Sequence, residues 1–472
     1  MNEKYNIVAV GAGAGGLQCS VHAASRGARC ALIDRMGVGG ECLHYGCIPT
    51  KAMAQSIDTY RLVKKAPDLG IDVGEHIRSN FSGIMARQKK VVNENVDRIY
   101  KGLLAMKIDF YKGTGLLISP NKVRVKLSNP QSVQEREFVL EAQNIVLGTG
   151  SSPNRLSISG SNLPGVLTNR EIFSLEHLPK SMVVIGCGYI GVEFAAIFAN
   201  MGTSVRMLEK EEFLMGFDRK IAQALRHDLE EKEGVKVEIG VDVLEIQQTE
   251  ISHYNVIYER DGQERSAQGE VVLMATGRTP DTAELFEGDM GITMDGAGIA
   301  VNEYLETSVR GIYAVGDVLN GAMTAFTAGT EGEVAAENCL GRRVSVDYSA
   351  LPRCVFTFPP YACVGLNEEE VNSIEGLDYG IAEYPFSSIV MAKIINKEEG
   401  FTRLIYEKGS GKILGGHILG PQSSELIAEL TLAVHQGLTV KELASLLHFH
   451  PSLGEGLQRA GRVGWLMEDM GK

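Results

Sequence analysis

The chain has 472 residues, 44% of them hydrophobic, and a formal net charge of −13. These values fit a globular protein of about three domains, and the acidic balance disfavours nucleic acid as a partner. Eight cysteines are too few for a secreted disulfide framework in a chain of this length, so we expect a reducing, cytoplasmic compartment. The N-terminus enters an apolar strand without a basic segment and a cleavable apolar core, so no signal peptide is expected.

The first pattern in the chain predicts a dinucleotide-binding unit. An apolar strand, 5–10, runs into the turn Gly11-Ala12-Gly13-Ala14-Gly15-Gly16, a helical pattern follows, and a second strand ends at Asp34. The turn can approach a pyrophosphate at the helix N-terminus, and Asp34 is placed to accept a hydrogen bond from a ribose hydroxyl. The glycines expected at the nucleotide are Gly11, Gly13 and Gly16. Further on, the charged segment 57–106 is expected to be helical.

Two cysteines, Cys42 and Cys47, stand five positions apart soon after this turn. In a regular helix their Cα atoms would lie roughly 8–9 Å apart, whereas a disulfide needs about 4.4–6.8 Å. A bridge therefore requires a distorted turn, for which Gly46 can supply the unusual dihedrals. A strained bridge suits dithiol–disulfide exchange. Two buried free thiols, or half a zinc site with His44, are the alternatives.

The nucleotide-binding pattern occurs a second time. The strand 181–185 leads into Gly186-Cys187-Gly188-Tyr189-Ile190-Gly191, and the next strand ends at Glu209 with the same spacing from first glycine to acid. An acid at this place suits the free 2′-hydroxyl of NAD and repels the 2′-phosphate of NADP, although Lys210 adjoins it. The glycines expected at this second nucleotide are Gly186, Gly188 and Gly191. A chain with two such units can hold two nucleotides.

Two residues on the following helix have side chains of interest. Glu193 lies among apolar neighbours, so we expect it to face the interior near a partner rather than solvent. Glu193 and three glycines also interrupt the apolar run 182–201. We therefore expect this run to be a buried strand, turn and helix rather than a membrane span. Tyr189 is either a packed ring or the cover of a nicotinamide pocket.

The C-terminal run 446–455 contains His448, His450 and Glu455. A histidine whose tautomer is fixed by a carboxylate can accept a thiol proton near neutral pH. Two surface histidines in a loop are the alternative interpretation.

The run Gly39-Gly40-Glu41-Cys42-Leu43-His44-Tyr45-Gly46-Cys47-Ile48-Pro49-Thr50-Lys51 resembles the redox-active site of the pyridine nucleotide–disulfide oxidoreductases, usually GGTCLNxGCIPSK. Glu41, His44 and Thr50 replace the usual Thr, Asn and Ser. The resemblance covers essentially the whole chain, is strongest to the dihydrolipoamide dehydrogenases, and includes 446–455, which is similar to HxHPTxxE. It implies an α/β fold with two Rossmann-like dinucleotide-binding domains plus an α+β dimerisation domain. The implied domains are FAD-binding, 1–150 and 276–343; NAD-binding, 151–275; and interface, 344–472.

The resemblance also implies a chemistry. The expected protein is a homodimeric FAD enzyme in which a dithiol, most simply dihydrolipoamide, attacks Cys42, Cys47 faces the flavin, and NAD is the acceptor. His450, oriented by Glu455, comes from the other subunit as the acid–base residue. Lys51 is expected to pair with Glu193 near the flavin. The remaining residues implied at the two cofactors are Gly115, Gly150, Gly277, Asp317 and Ala325.

Two sequence features bear on other activities: the position of the last cysteine and the departures from the usual redox motif. Mercuric reductases and large thioredoxin reductases need cysteines near the C-terminus, but the last cysteine here is Cys363. A reductase of quinone or another small acceptor stays open because Glu41 and His44 depart from the commonest form. Separately, Asp281 replaces the usual Asn after the run 276–280. A non-catalytic flavoprotein subunit is a different class, which the presence of both cysteines, His450 and Glu455 disfavours. We expect no metal site and no association with nucleic acid or membrane.

Overall fold

The structure is a computed structural model that describes residues 4–74, 76–129, 136–250 and 253–470. The predicted domain limits at residues 1 and 472 lie outside these ranges. The elements of the first region are β1 (Lys4–Val10), α1 (Ala14–Ser25), β2 (Cys30–Asp34), α2 (Gly40–Tyr45), α3 (Cys47–Lys64), α4 (Phe81–Ala105), β3 (Asp109–Ser119), β4 (Lys122–Leu127) and β5 (Glu137–Leu147).

The strands of this region build a parallel sheet in the order β3-β2-β1-β5, and the far half of β3 continues with β4 and β5 as an antiparallel meander. Both faces of β1 are buried. Ile7 and Ala9 pack on the side of α1, whereas Val8 and Val10 pack on the side of the meander. Burial on both faces explains why β1 is a continuous apolar run, as in parallel sheets covered on both sides.

One expectation for this region is wrong. The segment 57–106 is not one helix, because α3 ends at Lys64 and α4 begins at Phe81. Between them lies a short 3-10 turn, Ala66–Leu69, followed by irregular chain up to 74 and from 76 to 80. Gly70 closes this turn with φ 76°, a conformation that ends a helix.

The second region carries the second nucleotide-binding unit. Its elements are β6 (Ser151–Pro153), β7 (Val166–Leu167), β8 (Ser181–Ile185), α5 (Tyr189–Met201), β9 (Ser204–Glu209), α6 (Arg219–Glu231), β10 (Lys236–Ile239), β11 (Asp242–Glu250), β12 (His253–Arg260), β13 (Gln263–Gly269) and β14 (Val271–Met274). The strands β10-β9-β8-β14-β7 form a parallel sheet, and β11, β12 and β13 form an antiparallel one. The apolar run 182–201 is thus the strand, turn and helix of this unit.

The chain then returns to the first sheet. The returning elements are β15 (Arg278–Pro280), β16 (Met294–Asp295), β17 (Gly298–Ile299), β18 (Ile312–Ala314) and α7 (Ala325–Cys339). β18 adds to the first sheet beside β5, and α7 packs on α1. β15 pairs antiparallel with β6, so the outgoing and returning connections between the two units lie side by side.

The last region is an α+β unit. Its elements are β19 (Arg353–Val355), β20 (Tyr361–Gly365), α8 (Glu368–Asn372), β21 (Tyr379–Pro385), α9 (Val390–Ile394), β22 (Phe401–Glu407), β23 (Ile413–Leu419), α10 (Ser423–Gln436), α11 (Val440–Ser445) and α12 (Glu455–Met470). The strands form an antiparallel sheet in the order β19-β20-β23-β22-β21. The predicted α/β architecture is confirmed, while the domain limits stay a prediction. Among the described residues, no helix is both long and apolar enough to cross a bilayer.

Candidate active site

The turn after β1 is fixed by its backbone. Gly11 has φ +105°, and a Cβ there would lie 2.1 Å from the carbonyl oxygen of Gly148. Gly13 precedes α1 and has open space where a Cβ would be. Asp34, at the end of β2, anchors the turn by accepting hydrogen bonds at 2.7 to 3.1 Å from the backbone N–H groups of Ala12, Met36 and Gly37.

A cavity of about 690 Å³ opens beside this turn. Its size lies within the usual range for cofactor pockets, roughly 300–1,000 Å³. Gly13 cannot cap α1 with a side chain, so the helix presents its first N–H groups, those of Ala14 and Gly15, at the cavity wall. This donor set and the open space at Gly13 fit the pyrophosphate of an FAD. The predicted site residues that line the cavity are Gly11, Gly13, Asp34, Cys42, Cys47, Lys51, Gly115, Gly150, Tyr189, Glu193, Asp317 and Ala325.

The two cysteines meet at the wall of this cavity. Gly46, with φ −130° and ψ −116°, interrupts the helix between α2 and α3. The interruption brings Cys42 and Cys47, which are free thiols here, into hydrogen-bond contact. His44 Nε2 lies 2.9 Å from the carbonyl oxygen of Val38, a hydrogen bond that holds the imidazole against its own loop.

The thiol pair is electrostatically asymmetric. The hydrogen bond from Cys42, helped by the nearby Lys51 ammonium and opposed by burial, lowers the pKa of Cys47 to about 7. The same hydrogen bond, together with burial, raises the pKa of the Cys42 thiol far above its usual range. Cys47 is therefore the thiol that ionises first in the reduced pair.

Lys51 and Glu193 join the redox helix to the second unit. Lys51 lies on α3, and its Nζ is 2.7 Å from Oε2 of the buried Glu193 on α5. Glu193 also accepts a hydrogen bond of 3.0 Å from the backbone N–H of Phe356, whose ring lies 4.5 Å from Lys51 Nζ. Burial alone lowers the pKa of Lys51, but the Glu193 carboxylate outweighs it and raises that pKa above its ordinary value. Lys51 thus stays protonated, and its positive charge acts on Cys47 against the smaller opposing effect of the Glu193 carboxylate.

The turn after β8 repeats the first turn. Gly186 has φ +105°, and a Cβ there would lie 2.3 Å from the carbonyl oxygen of Ala275. Gly188 again has open space at its Cβ position. Glu209 anchors the turn by accepting hydrogen bonds from the backbone N–H groups of Cys187, at 2.6 Å, and Glu211, at 2.8 Å.

Several predicted site residues do not line the FAD-sized cavity. Gly16 and Gly191 lie in the first turns of α1 and α5, where a Cβ would meet the carbonyl oxygens of Gly11 and Gly186 at 2.0 and 2.1 Å. The missing side chain lets helix and strand approach each other closely, and their role at the nucleotides stays a prediction. The others outside the cavity lining are Gly186, Gly188, Glu209, Gly277, His450 and Glu455.

Asp317 is tied to the connections between the units. Its Oδ2 accepts a hydrogen bond of 2.5 Å from Ser151 Oγ, and Arg278 Nε donates to the same Ser151 oxygen at 2.8 Å. Ser151 begins β6 and Arg278 begins β15, so one polar chain links the cavity to both connections.

Glu41 is the site residue that sequence reasoning missed. Its carboxylate accepts hydrogen bonds from Asn169 Nδ2 at 2.8 Å and Arg170 Nε at 3.0 Å, and it pairs with Arg278 at 3.2 Å. All four residues line the cavity, next to Cys42. The one available signal was that Glu41 replaces a usual Thr, which gives no hint of partners so distant in the chain.

His450 and Glu455 form a dyad that does not line the cavity of the same chain. His450 Nδ1 lies 3.1 Å from Glu455 Oε1, and the imidazole side chain is 67% exposed. Burial opposes ionisation of Glu455, but the Ser452 N–H and His450 outweigh it and lower the pKa of this carboxyl below its usual value. A carboxylate at Nδ1 leaves Nε2 as the free nitrogen of the ring.

Comparison with known proteins decides the family. The model for pyridine nucleotide-disulphide oxidoreductases matches residues 5–332, and the model for their dimerisation domain matches residues 351–460. The chain belongs to the pyridine nucleotide-disulphide oxidoreductase family. This oxidoreductase is accordingly FAD-dependent and uses a nicotinamide nucleotide, as predicted.

Individual relatives of this oxidoreductase differ in their names. A dihydrolipoyl dehydrogenase of Geobacillus stearothermophilus is 35% identical over 96% of this chain and 95% of its own. A leghemoglobin reductase of Vigna unguiculata is 31% identical over 97% of this chain and 87% of its own. Among solved structures, the HOCl-induced flavoprotein disulfide reductase RclA of Escherichia coli has a TM-score of 0.85 and 27% identity, covering 98% of this chain and 100% of its own.

Proposed function

We propose that this oxidoreductase is a homodimeric dihydrolipoyl dehydrogenase, which oxidises dihydrolipoamide and reduces NAD through the Cys42–Cys47 pair. The observation that carries the proposal is the shared cavity. Its wall combines the first nucleotide turn, both cysteines, and Tyr189 and Glu193 from the helix of the second unit. A dithiol, a flavin and a nicotinamide can therefore react at one place.

In the dithiol half-reaction, the substrate dithiol meets Cys42 and Cys47 as a disulfide. A substrate thiolate attacks the Cys42 sulfur, a mixed disulfide forms, and Cys47 leaves as a thiolate. Its pKa of about 7 makes it the better leaving group of the pair. The second substrate thiol then displaces Cys42, which closes the substrate disulfide and leaves two electrons on the protein dithiol.

The proton of the attacking thiol needs a base. A free thiol with a pKa near 8.5 is only a few per cent ionised at neutral pH, so a positioned base matters. We assign this role to His450 of the partner subunit, because the exposed His450–Glu455 dyad lies outside the cavity of its own chain. The dimerisation domain matched at residues 351–460 supports such an arrangement.

Lys51 and Tyr189 have electrostatic and steric roles in this reaction. Lys51, kept protonated by Glu193, stabilises the Cys47 thiolate while the pair is reduced. Tyr189, 40% exposed at the start of α5, covers the approach of the nicotinamide. Bound FAD would supply the two-electron relay between the dithiol and the nicotinamide.

We infer a preference for NAD over NADP. Glu209 ends β9 and is followed by two further acids, Glu211 and Glu212. Lys210, the base among them, has its Nζ 2.7 Å from Asp242. A 2′-phosphate would meet net negative charge at this place.

A steady-state assay of the purified, FAD-loaded protein tests the function. We expect NAD-dependent oxidation of dihydrolipoamide, its loss in Cys42→Ser and Cys47→Ser, and little activity with NADPH and glutathione disulfide. Cysteine variants as active as wild type would overturn the role of the pair.

A second candidate is an NAD(P)H-dependent reductase of another small acceptor. The full-length likeness to a flavoprotein disulfide reductase and the unusual Glu41 beside Cys42 favour it. The same assay separates the two, because this candidate predicts fast NADH-dependent reduction of quinone or another acceptor and negligible turnover of dihydrolipoamide.

A further inference from the structure

A polar network runs along the cavity wall between the redox loop and the two connections that join the nucleotide units. Glu41 binds Arg170, which follows β7, and Arg278, which begins β15. Arg170 and Arg278 both bind Ser151 at the start of β6, through its carbonyl oxygen at 3.4 and 2.8 Å. One carboxylate therefore ties α2, the helix that carries Cys42, to both connections.

The network contains two acids that depart from the family pattern noted above. Glu41 stands in place of a usual Thr and Asp281 in place of a usual Asn. Asp281 Oδ2 accepts a hydrogen bond of 2.9 Å from Ser152 Oγ and lies 3.4 Å from Arg35 NH2, and Arg170 NH2 lies 3.3 Å from the same Ser152 oxygen. The two departures are thus linked in one set of contacts through Arg170 and Ser152.

Glu41 also balances the positive charge of the two arginines that it binds. The side chains of Arg278 and Arg170 are 8% and 25% exposed, and Glu41 is the acid that both of them bind. Water screens charges at such burial poorly, so removing the carboxylate would leave two guanidinium groups without this partner in the wall of the cavity that also holds the redox pair. Reduction of that pair creates a thiolate on Cys47, which a more positive surrounding stabilises.

We propose that Glu41 is a positioning residue for the redox pair: it fixes α2, which carries Cys42, to Arg170 and Arg278 and offsets their charge in the wall of the cavity that holds the dithiol. It thereby holds the disulfide less oxidising than the arginines alone would make it. This role rests on the proposed dithiol chemistry at Cys42 and Cys47.

The test uses the FAD-loaded protein and defined mixtures of reduced and oxidised dithiothreitol, with alkylation and peptide mass spectrometry to measure the state of Cys42 and Cys47. Glu41→Gln keeps the shape and removes the charge. We expect its pair to be half reduced at a roughly tenfold lower ratio of reduced to oxidised dithiothreitol than in wild type. Glu41→Asp keeps the charge and loses reach, so its ratio should stay near wild type while its rate of thiol exchange falls.

Two further variants separate charge from structure. Glu41→Gln combined with Arg170→Gln removes one excess positive charge and should move the ratio back towards wild type. Glu176→Gln removes an equal charge from an exposed site on the same connecting segment and should leave the ratio unchanged. FAD content, measured by absorbance, should be equal in all variants that enter the comparison.

The outcomes distinguish this role from the proposed function. If the wild-type pair titrates but Glu41→Gln has the same ratio, or if the double variant gives no return, the role of Glu41 is wrong and the dithiol chemistry stands. If the wild-type cysteines do not change state in any mixture, the proposed function fails and the role of Glu41 fails with it.

Discussion

The turn after β1 and the turn after β8 have matching backbones. Gly11 and Gly186 share φ +105°, and each approaches the carbonyl of the residue directly after a neighbouring strand, Gly148 after β5 or Ala275 after β14. Gly13 and Gly188 precede their helices with open space towards a ligand. The two turns share few residues other than glycine but have the same backbone geometry. The reason is that only glycine readily adopts the conformation that this close approach requires.

What surrounds the turns is different. The first turn shares its cavity with Cys42 and Cys47 and is packed by α7, whose Ala328 carbonyl would lie 3.1 Å from a Cβ on Gly15. The second has Tyr189 and Ile190 where the first has Ala14 and Gly15, and an acidic loop from Glu209 onwards. The backbone makes a nucleotide site, and the side chains beyond it decide whether the nucleotide is a resident cofactor beside the dithiol or an exchanging substrate.

The largest expected effect is the loss of one nucleotide without loss of the other. Gly11→Ala and Gly186→Ala each place a side chain at positive φ, which costs about 1–2 kcal/mol, and against the carbonyl of the residue that directly follows β5 or β14. We expect Gly11→Ala to be purified without FAD. Gly186→Ala should keep FAD but lose about 100-fold or more in reduction by NADH, a loss of roughly 3 kcal/mol in binding. Flavin absorbance and anaerobic NADH reduction measure both.

Gly188→Ala is the matched control for these variants, because a Cβ there meets open space. It should fold normally, keep FAD and weaken only the use of NADH. Retention of FAD by Gly11→Ala at wild-type occupancy would contradict the assignment of the first turn.

The next largest expected effect is the loss of the dithiol half-reaction while the NADH half-reaction is retained. His450→Gln should lose about 10²–10⁴-fold in oxidation of dihydrolipoamide, since a positioned base contributes that much. Glu455→Gln should lose less and His448→Gln least, because they leave the base itself in place. NADH-dependent reduction of an artificial dye involves the two nucleotide units but no thiol proton, so it should survive in all three. Equal loss of both activities in FAD-loaded His450→Gln would rule out its acid–base role.

A smaller effect tests the second turn alone. Glu209→Arg should shift the preference from NADH towards NADPH by roughly tenfold to hundredfold, because a hydrogen bond to a charged group contributes about 1.5–3 kcal/mol. FAD content should not change, since Asp34 anchors the other turn. The ratio of kcat/KM values for the two nucleotides measures the shift. A wild-type enzyme that already uses both equally would overturn the assignment of Glu209.

The smallest expected effect is a difference in thiol reactivity between Cys47, beside the first turn, and Cys187, in the second turn. Because the pKa of Cys47 lies near 7, its thiolate should be lost as pH falls through 7 and gained above it in the reduced protein. Burial raises the pKa of Cys187 far above its usual range, so this thiol in the second turn should not react. Cys42→Ala removes the hydrogen bond that lowers the Cys47 pKa and should move its midpoint up by roughly one to two pH units. Alkylation rates at Cys47 and Cys187 across pH measure this, and an unchanged midpoint in Cys42→Ala would refute that cause.

Local features could be predicted from the sequence. The two turns follow from a strand, a glycine spacing and a terminal acid, all within a short stretch of chain. The break at Gly46 follows from the requirement that two cysteines five apart approach each other. The helical interpretation of the segment 57–106 was wrong between Lys64 and Phe81, although Pro67 and Gly70 in the 3-10 turn were signals available in the sequence.

Contacts between distant residues could not be derived from the residues alone. The expected pairing of Lys51 with Glu193 depended on the family resemblance, and the structure places Lys51 Nζ 2.7 Å from the carboxylate. Glu41 meets Arg170 and Arg278 because the two connections between the units lie side by side, and no local pattern encodes that placement. The position of the His450–Glu455 dyad outside the cavity of its own chain depends in the same way on how the last region packs.

The most direct test of electron flow between the two units is a count of thiols after reduction by NADH. The FAD-loaded protein is treated anaerobically with NADH or with buffer, alkylated, and analysed by peptide mass spectrometry. We expect Cys42 and Cys47 both to gain the label only after NADH, and Gly186→Ala to gain far less at the same NADH concentration. Cysteines that stay unlabelled while the flavin is bleached, or that are labelled equally without NADH, would contradict a path from the second turn through the first to the dithiol.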